Sequence, residues 1–305
     1  MNRLVTGLGG VRATALLALY ARALDNGSAH PILGDRRAEE IIARLDFDFT
    51  QFRTAKKERY GVGVRTRQMD EWTREFVTDH PDATVLDLGA GLDSRVFRVN
   101  PPSACHWYDI DYPDVIELRN GLYPARQRHD TIGADLTHDS WLDPLPRDRP
   151  VAIVADGVFM FLTEQELRHL LSRVVAHFPT GQIAFNAATA FQVKLANRHP
   201  AVKRAGATLR WSLDDPRALE IFDPTVKLAE ERMIIESPWL CLEGIPHHLC
   251  RHKEHPGAAG AGRAHPALHL LALQRGVERV VLHRTAPRPC AMLMPSTPFA
   301  SPQVV

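Results

Sequence analysis

The residues best suited to bind a ligand are two glycines, Gly89 and Gly91, which follow the apolar run 84–88. Such a run leading into two glycines spaced by one residue predicts a buried strand that turns sharply at its carboxyl end. Glycine adopts positive φ and has no Cβ, so we expect a ligand to lie against the main-chain N–H groups of this turn. Nucleotide-like ligands bind at such strand ends in open α/β sheets, and a turn without a ligand is the alternative.

The residues that follow the second glycine distinguish between two cofactors. A dinucleotide-binding turn carries a third glycine, and the pyrophosphate lies at the N-terminus of the next helix. Here Ser94 occupies that glycine position and Asp93 precedes it. A carboxylate so close to the turn repels a pyrophosphate but attracts a cationic ligand. The spacing therefore favours S-adenosyl-L-methionine, which carries a sulfonium and an ammonium group, over NAD.

Two carboxylates, Asp109 and Asp111, end the next predicted strand. An acid roughly 20 residues past the glycine turn is placed to hold a ribose diol. The two side chains lie on one face of the strand by period two. We therefore expect one of them to bind ribose and the other to be solvated or to cap a turn. Two loop acids without a ligand remain the alternative.

Two further acids follow later strands. Asp135 and Leu136 come after the third predicted strand, and an acid beside an apolar residue can bind an adenine amino group while covering the ring. Asp156 follows the predicted strand at 151–155. Because the carboxyl ends of parallel strands share one edge of a sheet, we expect Asp156 at the mouth of the same cleft.

Length and composition exclude several classes of protein. A chain of 305 residues can form one large α/β domain or a domain with appendages, and a net charge of +1 argues against nucleic-acid binding. Its four cysteines form no Cys-x-x-Cys pair, which favours a reducing cytoplasm. The apolar segment 11–24 is interrupted by Arg12 and Arg22 and is too short to span a bilayer, so we interpret it as an amphipathic helix.

Hydrophobic periodicity predicts helices first and then an alternation of strands and helices, which indicates a parallel sheet. A capping box at Thr163 and Glu166 marks one later helix. The helices are predicted at residues 13–25, 36–44, 53–67 and 68–78, and the strands at 84–88, 106–110, 131–134, 151–155 and 182–186.

The tail differs from the rest of the chain. Its histidine-rich segment 247–255 fits no standard zinc spacing, so we expect no metal, and 277–282 is its one predicted strand. We divide the chain into an N-terminal helical cap at 1–80, a ligand-binding α/β core at 81–250 and an atypical tail at 251–305.

Several separated motifs of the chain resemble the leucine carboxyl methyltransferase superfamily, in the branch typified by the tetracenomycin polyketide-synthesis O-methyltransferase. The motifs lie at residues 64–67, 88–95, 107–111 and 210–216, and they follow one another in the same order as in that family. The resemblance implies a Rossmann-like class I methyltransferase fold, with a mostly parallel central sheet and an N-terminal helical cap. It also implies methyl transfer from S-adenosyl-L-methionine to a carboxylate or hydroxyl oxygen of a small molecule such as a polyketide. The alternatives are an NAD-dependent oxidoreductase and a degenerate, non-catalytic family member.

The resemblance also assigns roles to residues. Arg65 matches the arginine that pairs with the methionyl carboxylate, and Gly89 the glycine whose backbone meets the methionine part. Asp111 matches the ribose-binding acid. Asp156 stands where the family has a glutamate near the amino group, one methylene shorter. Asp135 and Leu136 match the adenine contacts.

Other positions depart from the family pattern or leave the catalytic residue open. Thr137 replaces an arginine of the protein-phosphatase branch and Phe161 replaces a tyrosine, which disfavours a protein substrate. A carboxylate acceptor is already ionised at neutral pH, whereas a hydroxyl acceptor needs a base, for which His106 and His199 are candidates. The sequence does not reveal the oligomeric state.

Overall fold

A computed structural model of the chain describes residues 4–5, 7–52, 55–198, 202–203, 206–223, 225–242 and 267–274. At its centre is a sheet of seven strands, which are β1 Thr84–Leu88, β2 His106–Asp111, β3 His129–Gly133, β4 Val151–Ala155, β5 Thr180–Ala187, β6 Val226–Met233 and β7 Ala267–Gln274. Their order across the sheet is β3-β2-β1-β4-β5-β7-β6. All five strands predicted between residues 84 and 186 are present, with bounds shifted by at most a few residues.

The helices surround this sheet. They are α1 Thr14–Asn26, α2 Arg36–Arg44, α3 Ala55–Asp79, α4 Arg95–Val99, α5 Pro113–Leu122, α6 Glu164–His177, α7 Ala190–Ala196 and α8 Pro238–Leu242. The predicted capping box at the start of α6 is confirmed, since the side chains of Thr163 and Glu166 each accept a hydrogen bond from the other residue's backbone N–H. Among the helices described, none is long and apolar enough to cross a membrane.

Strands β1 to β5 are parallel, which brings their carboxyl ends to one edge of the sheet. Strand β1 is buried along its whole length and pairs with β2 on one side and β4 on the other. The chain therefore leaves β1 at Leu88 between the ends of two neighbouring strands. This is the position at which an open α/β sheet forms its ligand crevice.

Helix α3 is a single helix of 25 residues, whereas the sequence predicts two helices that meet at residues 67 and 68. No glycine or proline lies at that junction, so nothing interrupts the backbone hydrogen bonds there. Its buried face packs Met69 and Trp72 against Val154, Ala184 and Leu268 of the sheet. The helix thus joins the N-terminal region to the sheet and carries Arg65 to the sheet's carboxyl edge.

Antiparallel strands β6 and β7 complete the sheet, and neither is predicted from the sequence. Strand β7 lies between β5 and β6 and pairs with both. It falls within the predicted tail, so at least this segment of residues 251–305 belongs to the sheet. The strand predicted at 277–282 lies outside the described residues. The alternative of a degenerate family member therefore gains no support from the described part of the sheet.

Helices α1 and α2 form a second layer over the glycine turn. Leu16 and Leu19 of α1 pack in a buried cluster with Ile41, Phe49 and Leu92, the last of which lies in that turn. The approach is close, because a Cβ on Gly91 would lie 3.2 Å from the Cβ of Ala15. The N-terminal helices therefore cover the region that follows β1.

Candidate active site

A cavity of about 550 Å³ lies along the carboxyl edge of the sheet, beneath α1. The ends of strands β1, β2, β3 and β4 form its floor, and the segment 206–210 forms one wall. Of the residues predicted from the sequence, the following seven line this cavity: Arg65, Gly89, Gly91, Asp111, Asp135, Leu136 and Asp156. Asp109, the remaining residue predicted to bind the cofactor, does not line it.

The glycine turn has the predicted backbone conformation, but its N–H groups donate hydrogen bonds within the protein. Gly89 and Gly91 have φ values of 63° and 50°, which favour glycine. The N–H groups of Gly89 and Ala90 both donate to the carbonyl of Ile110, at 2.7 and 3.2 Å. That of Gly91 donates to Asp111 Oδ2 at 2.7 Å. The expectation that a ligand receives these N–H groups is therefore wrong, and the turn offers close approach instead.

Asp111 is held in a fixed orientation at the end of β2. Its Oδ2 accepts the Gly91 N–H and its Oδ1 accepts the N–H of Tyr112, each at 2.7 Å. Burial raises the pKa of Asp111, and the two backbone N–H groups counteract that effect. Each carboxylate oxygen has a second acceptor position. The geometry thus provides a preoriented carboxylate that can accept two hydroxyl groups.

Asp109 is a structural residue and is neither solvated nor a turn cap. It is fully buried and accepts hydrogen bonds from Trp107 Nε1 at 2.8 Å, from His129 Nε2 at 2.5 Å and from Arg119. Burial raises its pKa, but Arg119 and His129 outweigh that effect and the pKa of Asp109 lies below its usual range. Its acceptor positions face protein donors because residue 109 lies inward of the strand end, where α5 covers the sheet.

Asp135 and Leu136 lie at the end of β3, as predicted. Asp135 Oδ1 accepts both the backbone N–H and the hydroxyl of Thr137, at 3.0 and 2.8 Å. Thr137, which departs from the phosphatase branch, therefore orients the carboxylate next to it. Leu136 is buried in the main core and contributes an apolar surface to the cavity.

Arg65 and Asp156 lie next to each other at the opposite end of the cavity. Arg65 Nε is 2.7 Å from Asp156 Oδ1, yet both atoms are buried and lack a well-aligned hydrogen bond. Both side chains line the cavity. The methionyl part of the predicted cofactor carries a carboxylate and an ammonium group. Arg65 can bind the carboxylate and Asp156 the ammonium, so the two buried atoms without a hydrogen bond fit this part of the cofactor.

The charge of Asp93 is neutralised within the protein. Arg98 Nη1 lies 2.7 Å from its Oδ1, and Arg22 Nη1 and Arg95 Nη2 lie 3.3 and 3.6 Å from its Oδ2. Burial raises the pKa of Asp93, but the three arginines outweigh it and leave that pKa far below its usual range. The sequence argument, in which Asp93 attracts a cationic ligand, is therefore wrong about the residue's role. Arg22 of α1 also lines the cavity and pairs with Asp35 and Asp93 in the same network.

Sequence reasoning missed the centre of this network, which is Arg95. Its guanidinium is fully buried and hydrogen-bonds to Asp70 at 2.6 Å, Asp156 at 3.0 Å and Asp87 at 3.2 Å. Arg98, one turn further along α4, binds Asp70 as well. The available signal was two arginines three residues apart, directly after a ligand-binding turn, in a helix whose other residues are apolar.

The buried carboxyl of Asp87 is expected to make the stability of the fold depend on pH. Burial raises the pKa of Asp87 to about 8, although Arg95 counteracts it. The native protein then keeps a proton that the unfolded chain releases near pH 4, so this contribution is complete below about pH 4 and is lost as the pH rises to about 8. In Asp87→Asn, which mimics the protonated acid, we expect the unfolding free energy relative to wild type to increase with pH, by up to about 1.4 kcal/mol per unit. Urea melts across this window measure the difference, and a constant difference would contradict it.

Of the two candidate bases, His106 is not placed to take a proton from an acceptor in the cavity. His106 lies at the amino end of β2, pairs with Asp130 at 2.6 Å and does not line the cavity. His199 and the histidine-rich segment 247–255 lie outside the described residues. Within the part of the chain that is described, no group of three or more His, Cys, Asp or Glu residues is arranged to hold a metal.

Fold and site together define a class I methyltransferase, and comparisons with known proteins agree. The family model of leucine carboxyl methyltransferase matches residues 13–175. The chain is 44% identical to the tetracenomycin polyketide synthesis O-methyltransferase TcmP of Streptomyces glaucescens, over 76% of this chain and 86% of that protein. It is 30% identical to the S-adenosyl-L-methionine-dependent methyltransferase dpfgK of Gibberella zeae, over 75% and 84%. A crystal structure of a putative methyltransferase from Thermobifida fusca shares the fold, with a TM-score of 0.52 at 13% identity, over 88% of this chain and 96% of that one.

The chain therefore belongs to the leucine carboxyl methyltransferase family, and with it to the enzymes that use S-adenosyl-L-methionine. This confirms the resemblance and the fold class inferred from the motifs. The NAD-dependent oxidoreductase alternative is wrong. The roles of individual residues rest on the geometry above and are proposals.

Proposed function

We propose that the chain transfers a methyl group from S-adenosyl-L-methionine to a carboxylate oxygen of a small, largely apolar acceptor. The observation that carries the proposal is one continuous cavity with charged and polar groups on its sheet side and apolar groups beneath α1. A hydroxyl acceptor, the other acceptor predicted from the sequence, requires a base.

The sheet side of the cavity fits the cofactor along its length. Leu136 and Asp135 would hold the adenine, Asp111 the ribose diol, and Arg65 and Asp156 the carboxylate and ammonium of the methionyl part. When bound, the cofactor supplies a methyl group on a positively charged sulfur. The chain's own residues then have to align the acceptor oxygen with that methyl, and alignment alone is worth about 7–11 kcal/mol.

The roof of the cavity fits an apolar acceptor. The turn before α1, α1 itself, α3, the turn after β4 and the segment 206–210 contribute aliphatic or aromatic side chains there. Such a surface excludes water and binds a flat or cyclic molecule by burial of apolar area. These residues are Val11, Leu17, Val62, Met160, Phe161 and Leu209.

The polar lining of the cavity favours a carboxylate over a hydroxyl. Its described residues include no histidine, lysine or cysteine, so a base for a hydroxyl acceptor would have to be one of its carboxylates, such as Glu58. A carboxylate acceptor needs no base because it is ionised at neutral pH. Arg210 lines the same wall and has no acidic partner among the residues the structure describes, whereas Arg22, Arg65 and Arg95 each pair with aspartates. Arg210 can therefore receive an acidic group of the acceptor.

A polyketide acid is the substrate class we propose. The relative TcmP is named for polyketide synthesis, and aromatic polyketides combine fused apolar rings with acidic groups. A reducing cytoplasm, as cysteine usage favours, is the compartment we propose for the reaction.

The experiment is transfer of labelled methyl from S-adenosyl-L-methionine to a panel of polycyclic aromatic acids and their decarboxylated phenols. We expect label in the acids only, released by mild base as an ester would be. Arg210→Met should raise KM for the acid at least about tenfold, since a charge-assisted pair is lost, and leave KM for the cofactor unchanged. Arg217→Met, an exposed arginine that does not line the cavity, is the matched control. Base-stable label on the phenols would contradict the carboxylate proposal.

A further inference from the structure

The two carboxylate oxygens of Asp156 have different surroundings. Oδ2 accepts hydrogen bonds from Arg95 Nη2 at 3.0 Å and from the Thr66 hydroxyl at 2.9 Å. Oδ1 is buried beside Arg65 Nε at 2.7 Å without a well-aligned hydrogen bond. One oxygen is therefore saturated by protein donors, and the other keeps its acceptor capacity.

The two donors to Oδ2 cannot easily move away from it. Arg95 and Thr66 are both fully buried. The Arg95 guanidinium is also bonded to Asp70 of α3 and to Asp87 of β1, so its plane is fixed by two different elements. Thr66 lies within α3, one residue after Arg65. Protein donors that are anchored to α3 and to the sheet therefore fix the orientation of the Asp156 carboxylate through its Oδ2.

We propose that Arg95 and Thr66 are positioning residues for cofactor binding: by holding Oδ2 of Asp156, they leave Oδ1 for the cofactor ammonium. The inference rests on the proposed function, which places the methionyl part at Arg65 and Asp156. A planar guanidinium with several donors in a fixed fork is suited to this task, whereas a lysine is a single point charge.

Without this restraint Asp156 would satisfy Arg65 instead of the ligand. A freely rotating carboxylate pairs with an arginine through two parallel hydrogen bonds. Such a pair between Asp156 and Arg65 would occupy both the anion and the cation that the methionyl group needs. Arg95 and Thr66 draw Oδ2 away from Arg65 and so prevent the two-bond pair.

The test compares two ligands that share the nucleoside and differ in the amino-acid part, S-adenosylhomocysteine and 5′-methylthioadenosine. Calorimetric titration gives both dissociation constants for the full chain. In Arg95→Lys we expect the affinity for S-adenosylhomocysteine to fall at least about tenfold, and that for methylthioadenosine to change by less than about twofold. A residue that only stabilised the fold would weaken both ligands alike.

A second variant and a control accompany the first. Thr66→Val removes only the hydroxyl bond to Oδ2 and should give a smaller loss with the same selectivity. If circular dichroism shows that Arg95→Lys does not fold, Thr66→Val decides the question. Arg98→Lys is the matched control, since Arg98 belongs to the same network and binds Asp35, Asp70 and Asp93 but has no contact with Asp156. Its ratio of the two affinities should equal that of wild type.

Equal losses for both ligands, or no loss for either, in the folded variants would overturn the positioning role. A different failure identifies the proposed function as the error. If the wild-type chain binds S-adenosylhomocysteine no more tightly than methylthioadenosine, the methionyl part does not lie at Arg65 and Asp156 at all.

Discussion

Replacing Asp111 with alanine is expected to weaken the binding of S-adenosylhomocysteine at least about tenfold, measured by calorimetric titration. Two backbone N–H groups hold this carboxylate at the end of β2, with acceptor positions left for a ribose diol. Each hydrogen bond to a charged group is worth about 1.5–3 kcal/mol, and about 1.4 kcal/mol is a factor of ten. The loss of a single such bond therefore suffices for the expected effect.

The control for this variant is Asp130→Ala. Asp130 is an exposed acid of the neighbouring strand β3 and does not line the cavity. Its affinity for S-adenosylhomocysteine should equal that of wild type, and both variants should melt cooperatively. Unchanged affinity in a folded Asp111→Ala would remove the ribose assignment.

Asp109→Asn is expected to cause the largest loss of stability, a fall of about 3–5 kcal/mol in the free energy of unfolding at neutral pH. Asp109 and Arg119 are both almost completely buried. Removing the carboxylate charge leaves the guanidinium of Arg119 in the core without its counter-ion, and the amide cannot accept all the hydrogen bonds that Asp109 accepts. Urea unfolding of the variant and of wild type measures the difference.

Removing both charges tests the cause of that loss. The double variant Asp109→Asn, Arg119→Gln should lose less than the sum of the two single variants, because neither charge is then left unpaired. Asp130→Ala should change stability by less than about 1 kcal/mol, as expected for an exposed pair. A small loss in Asp109→Asn, or strictly additive losses, would show that the buried pair is not the source of the stability.

Elements that carry a clear local sequence pattern were predicted correctly, whereas the two strands without such a pattern, which form by pairing with distant segments, were not. The buried run of β1 and the capping box of α6 are visible in the sequence, and both are present. Strand β6 carries charged residues at several positions and is only partly buried, so its pattern does not read as a strand. Strand β7 forms because it pairs with both β5 and β6, and this is a contact between distant segments that periodicity does not encode.

The site was predictable at the level of which residues meet, but less so in what each one does. The motifs predicted that Arg65, Asp111 and Asp156 lie at one site, and all three line the cavity. The role of Asp109 depends on its hydrogen bonds with Arg119 of α5 and His129 of β3. No pattern in the sequence around Asp109 indicates these two partners. Interior networks of this kind are set by packing, and composition alone does not distinguish a buried aspartate from one that faces a ligand.

The most direct test of the central claim is a crystal structure of the full chain with S-adenosylhomocysteine. The account predicts both ribose hydroxyls within hydrogen-bonding distance of Asp111, the adenine beside Asp135 and Leu136, and the amino-acid part between Arg65 and Asp156. Ligand bound elsewhere, or a ribose held by other residues while Asp111 contacts only the protein, would contradict it.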